Sequence, residues 1–198
     1  MGSYYYLVAQ LPNLVYGQQA TMSAAYFRTL AKTYLTAGDS ALLDMVSLDP
    51  QLSEQNEKPP ASGSEFIDKW REWERSLRLN LARNRFQALK REGAIPDAPD
   101  APADAAAAAK AAVVMDSPLE AEIALDKFRW DAIEALQGLT LFSENTVFAY
   151  LLKLFILERR LSFKTEEGFK EYKALYAAIL QGAEGVRGPV GPLVGEPK

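Results

Sequence analysis

The chain has 198 residues, of which 48% are hydrophobic and 11% aromatic, enough for one well-buried domain or for two small ones joined by a linker. It contains no cysteine and no histidine. That excludes disulfides, thiolate nucleophiles and thiolate metal sites, and it removes the commonest general base and transition-metal ligand. A net charge of -4 argues against a chain that holds nucleic acid by its overall charge.

Taken in order, Tyr4 to Leu11 is aromatic and β-branched enough to pass for a strand until Pro12 and Asn13 break it. A single strand has no partner here, so the segment is expected to be an extended or short helical lead-in that lays Tyr4, Tyr6 and Val8 on the core. No basic residue precedes it and Pro12 interrupts it, so it does not read as a signal peptide. Ser23 is expected to cap a helix carrying Tyr26, Phe27, Leu30, Tyr34 and Leu35, stopped by Gly38. Asp39 or Ser40 then starts a second short helix with Leu42, Leu43, Val46 and Leu48, ended by Pro50.

The polar run from Gln51 to Gly63 reads as a loop. Ser62 and Glu65 have capping-box spacing, and the spacing of Phe66, Trp70, Trp73, Leu77 and Leu81 predicts one long helix over about 64–91. Such a helix is roughly 42 Å long, which predicts that part of it projects from so small a core. Trp70 and Trp73 sit on its apolar stripe and read as core anchors rather than stacking platforms.

Residues 65–92 hold eight Lys or Arg against five Asp or Glu, while 93–122 hold one against six. From Ser76 to Arg91 no acid interrupts the basic residues. Arg75, Arg78, Arg83, Arg85, Lys90 and Arg91 are therefore the candidate partner-binding residues, since guanidinium groups pair well with carboxylates and phosphates. The competing reading is a solvated face balanced by the acidic stretch that follows.

Residues 93–116, with PDAPDAPADAAAAAK, are nearly free of large side chains and are expected to form a linker, fraying into a helix along the alanines. Ser117, Pro118 and Glu120 mark the start of the next helix, with Pro at the first position and Glu at the third. That helix carries Leu125, Phe128, Ala132, Leu136 and Leu139 on one stripe, widened by Ile123, Trp130 and Ile133. Asp126, Lys127, Arg129, Asp131 and Glu134 are expected to fall outside it. Carboxylates three or four apart can share a metal or proton, but those at 126, 131 and 134, and at 166 and 167, read as solvated.

Between Val147 and Leu157 only Lys153 is charged, so a helix there is apolar almost all round and needs cover from other helices. Eleven residues rise only about 16 Å and do not span a bilayer core of about 30 Å. The segment is the expected central rod, packed antiparallel to the helix before it, with Lys153 snorkelling or pairing with a nearby carboxylate. Thr165 is expected to cap a last helix bearing Phe169, Tyr172, Leu175, Tyr176, Ile179 and Leu180. The segment 182–198, with eight Gly or Pro in seventeen residues, is expected to be a flexible tail.

The expected fold is thus all-α, about six helices in hairpins round a buried central helix. Its regions are 1–92, a linker at 93–116, a hairpin region at 117–181 and the tail. No phosphate-binding, dinucleotide, nucleophile-elbow, zinc-protease or EF-hand motif occurs, so no catalytic residue, cofactor or metal site is predicted.

The run WDAIEALQGLTLFSENTVFAYLLKLFILERRLSF followed by TEEGFKEY, together with the opening YYYLVAQLPNL, resembles the terminal signatures of a bacterial family associated with V-type ATPase operons. Tyr150, Lys153, Leu154 and Arg159, in the pattern Y-x-x-K-L-x-x-x-x-R, are its most specific element. The resemblance covers about a third of the chain. It implies a stand-in for the central-axis subunit of V/A-type ATPases, the helical socket between shaft and ring. Such a chain is a non-catalytic part of a proton- or sodium-translocating ATPase, with the rotor shaft and membrane ring as partners and no nucleic acid or small-molecule substrate. Its expected place is cytoplasmic, peripheral at the inner membrane face. The alternatives are a generic helical protein–protein adaptor and a nucleic-acid-binding protein using the basic run.

Overall fold

The computed structural model describes residues 4–49, 60–90, 93, 97–163 and 175. It divides into two compact units, Met1–Arg160 and Leu161–Lys198. The expected last helix and the Gly/Pro tail lie outside the described residues apart from Leu175. The described residues form seven α-helices and no strand: α1 Tyr4–Gln10, α2 Ala24–Lys32, α3 Ala37–Asp44, α4 Glu65–Ala88, α5 Ala103–Val113, α6 Pro118–Gln137 and α7 Glu144–Leu161. The fold is all-α.

α7 is the central rod. Thr146 to Leu152, Leu154, Ile156 and Leu157 are buried and no residue from Val147 to Leu157 is exposed. Each fully buried Leu or Ile there brings about 1.5–3 kcal/mol of transfer free energy, which is why the rod gathers the other helices round it. α6 runs antiparallel beside it, as the cross-pairs show: Lys153 meets Glu134 and, further along α7, Arg159 meets Glu122. Gly138 ends α6 with φ 69, a backbone conformation that a side chain would strain.

Several element ends differ from expectation. α1 is helical, so its inward positions follow a three-to-four step: Leu7 is fully buried while Tyr6 is exposed. α2 stops at Lys32, before Gly38, which lies inside α3; Thr36 caps α3 by accepting from the Asp39 backbone N–H. Ser23 does cap α2, accepting from Tyr26 N, and Glu158 of α7 takes the Ala24 N–H at 2.7 Å. Tyr26 itself is exposed. At α4, Ser64 holds the cap position without a side-chain cap bond, and Ser62 bonds instead to Ser64 and Asp68. Ser117 caps α6 as expected.

The largest difference concerns the alanines. Over the expected linker the chain forms α5, and Ala105, Ala108, Ala109 and Ala112 lie in the core on one stripe. Small side chains at these steps let the backbones of α4 and α5 approach closely, so a helix with little apolar area still packs. Asp104 of α5 accepts from the Trp73 indole at 2.8 Å, and Asn80 donates to the Pro99 carbonyl at 2.8 Å, fixing α5 antiparallel to α4. Consequently α4 has a buried face from Phe66 to Leu81 and does not project over that length, while every residue from Gln87 through its end to Lys90 is exposed. Trp70 and Trp73 are buried and stacked, as core anchors.

Candidate functional site

The basic run divides in two. Arg78 and Arg83 are half-buried and turned inward. Arg78 donates to Glu74 at 2.8 Å and to the Leu48 carbonyl at 3.1 Å, and Arg83 donates to Asn80 and the Ala98 carbonyl. With Trp70 bonded to Ser47, Arg71 to Met45 and Arg28 to Val46, side chains take the carbonyls leaving α3, which have no helical partner of their own. Arg75 is half-buried and engaged. Arg85 and Lys90 are exposed, the former 4.0 Å from Glu122, and Arg91 lies outside the described residues.

The signature residues lie on the central rod. Leu154 is fully buried. Tyr150 donates its hydroxyl to the Pro12 carbonyl at 3.0 Å, clamping the chain after α1, and burial pushes its pKa up to about 12. Lys153 pairs with Glu134 at 3.2 Å and lies 5.1 Å over the Trp130 ring, the paired arrangement expected of an ammonium in a dry helix. Arg159 donates to Glu122 at 2.5 Å and stands 3.7 Å from Asp126.

Through Arg159 the two sets of residues join. From α4 across α6 to α7, guanidinium and carboxylate groups alternate: Arg78, Glu74, Arg129, Asp126, Arg159, Glu122 and Arg85. The middle of the ladder is dry, with Glu74, Asp126 and Arg129 all buried. Asp126 and Arg129 were expected on the solvated side of α6, and the structure corrects this. The signal was available in Glu74, which falls inside the Trp70–Trp73–Leu77 stripe and needs a buried cation to meet it. Conversely Leu139, expected on the stripe, is fully exposed beyond the end of α6.

Electrostatics follow from this burial. At Arg129, loss of water favours the neutral form, but Glu74 and Asp126 outweigh it and raise the guanidinium further. At Asp126 burial wins over Arg159 and Arg129, and the carboxyl lies above its ordinary value; its Oδ2 is buried without a hydrogen-bond partner. Asp39 lies below its ordinary value, since hydrogen bonds from Tyr4 and Thr36 outweigh the burial that pushes it up.

Every acid of the ladder is paired with arginine. No group of three or more Asp or Glu among the described residues is placed to hold a metal ion. No helix among them is long and apolar enough to cross a membrane. Comparison with family models, with curated proteins and with solved structures finds no match to this chain.

Proposed function

We propose that the chain is a non-catalytic coupling component of a V/A-type ATPase, similar to its central-axis socket, joining the rotor shaft to the membrane ring from the cytoplasmic side. The reading rests on the terminal signatures, and the observation that carries it furthest is where their residues fall. Arg159 of the signature is a member of the ladder that ties α4, α6 and α7, and Tyr150 ties α7 to the chain after α1. A part that passes torque needs helices that do not slide past one another, and buried, paired charges fix register in a way that apolar contacts do not. The exposed end of α4, with Arg85 and Lys90, is the surface offered to an acidic partner, where charge sets orientation and encounter rate more than final affinity.

A second reading, a helical adaptor outside any ATPase, is favoured by one feature. Tyr5 stacks on Phe142 at 4.4 Å and lies edge-on to Tyr6 at 6.3 Å, and all three are exposed, an aromatic cluster of the kind that marks protein contacts. The nucleic-acid reading loses ground because Arg78 and Arg83 are spent on internal carbonyls and carboxylates.

The test is affinity purification of the tagged full chain from native membranes dissolved in mild detergent. Shaft and ring proteins of the ATPase should be retained with it. Recovery of other proteins without any ATPase component would sink the ATPase reading and leave the adaptor.

A further inference from the structure

We infer that the pocket between the end of α1 and the face of α7 is a binding site for a small monoanionic carboxylate with a short branched alkyl group. The pocket has a volume of about 240 Å³ and is partly open to solvent. Its apolar wall is made by Val8, Leu11 and Leu14. Thr146, Tyr150 and Lys153 come from one side of α7 at steps of four and three, and Asn13 and Gln137, which carry primary amides, also line the pocket.

The ligand class follows from the lining. Lys153 is the one charged residue among the residues that line the pocket. Its ammonium has three donors, of which Glu134 takes one from outside the pocket lining. Glu134 is itself half exposed and also accepts from the Trp130 indole at 2.9 Å, so water and a second donor already share its charge. Two amides and one ammonium suit a carboxylate, whose single charge one ammonium can balance, better than a phosphate of higher charge. The Tyr150 hydroxyl, donating to the Pro12 carbonyl, is left as an acceptor and holds the wall in place. An alkyl group set against Val8, Leu11 and Leu14 gains burial that a bare carboxylate would not.

The site is independent of the ATPase reading and is tested without it. 4-Methylpentanoate is titrated into the isotope-labelled full chain, with 4-methylpentanamide as the neutral isostere, following the side-chain amides of Asn13 and Gln137 by two-dimensional NMR. The acid should give saturable shifts at both amides with a Kd of roughly 1 mM, as expected for so few contact atoms, and the amide should bind at least about tenfold more weakly. K153Q should abolish the shifts. Because Lys153 also pairs with Glu134, the exposed Asn13 provides the variant that spares the fold: N13D should weaken the acid at least about fivefold through like charge, and N13K should strengthen it. Equal binding of acid and amide, unchanged affinity in N13D, or no saturable shift up to about 50 mM would each overturn the site.

Discussion

Arg129 of α6 grips Glu74 of α4 with both sides of its guanidinium, Nε to Oε2 and Nη2 to Oε1, each at 3.0 Å, while Nη1 reaches Asp126 at 3.0 Å. One buried cation thus serves two buried anions. Replacing it by an apolar side chain leaves Glu74 with Arg78 alone and Asp126 with Arg159 at 3.7 Å. R129M is expected to lower the unfolding free energy by roughly 3–5 kcal/mol, the usual cost of removing one partner from a buried charge pair, and R129K by less, since it keeps the charge and loses the fork. Urea unfolding followed by circular dichroism measures both; a loss below about 1 kcal/mol in R129M would show the ladder to be ornamental.

The pH dependence of stability carries two opposite signs. Asp126 has a folded-state pKa above its unfolded value, so its contribution is fully present below the ordinary value of 3.8 and is lost as pH rises through the folded pKa. Asp39 has a lowered one, so its contribution is present above the ordinary value and is lost as pH falls through the folded pKa. Denaturant midpoints measured between about pH 3 and 7 should therefore rise less steeply on acidification in D126N than in the parent chain, and D39N should fall less on acidification. The reverse slope in D126N would show that the arginines, not burial, dominate there.

The alanine face of α5 is a packing constraint that can be tested by size alone. Ala108 is buried against its neighbours and Ala107 is exposed on the same helix. A108L is expected to cost about 1–3 kcal/mol through overpacking, while A107L should stay within about 0.5 kcal/mol of the parent. Equal thermal midpoints for the two variants would mean that α5 does not pack closely.

The basic run should separate into a fold function and a surface function. R78E sets a second acid beside buried Glu74 and strips the Leu48 carbonyl of its donor, so a loss of several kcal/mol is expected. The double variant R85E/K90E changes only exposed positions and should unfold within about 0.5 kcal/mol of the parent while weakening capture of an acidic partner. Thermal unfolding and affinity purification from membranes, run on the same preparations, read the two effects separately.

The sequence by itself determined the helical class, the buried rod at Val147–Leu157, the Ser23 and Ser117 caps and the core role of Trp70 and Trp73, because each is a local pattern: apolar spacing, a cap residue, a run too short for a bilayer. Only the tertiary structure decided the rest. Poly-alanine has no large side chain to announce burial, so α5 became legible only once α4 lay against it. Asp126 and Arg129 carry charges that every local rule places in water, and their burial depends on Glu74, more than fifty residues earlier in the chain, arriving from another helix. Whether Arg78 faces a partner or its own fold is likewise a matter of what lies opposite, and periodicity along a single helix holds no record of that.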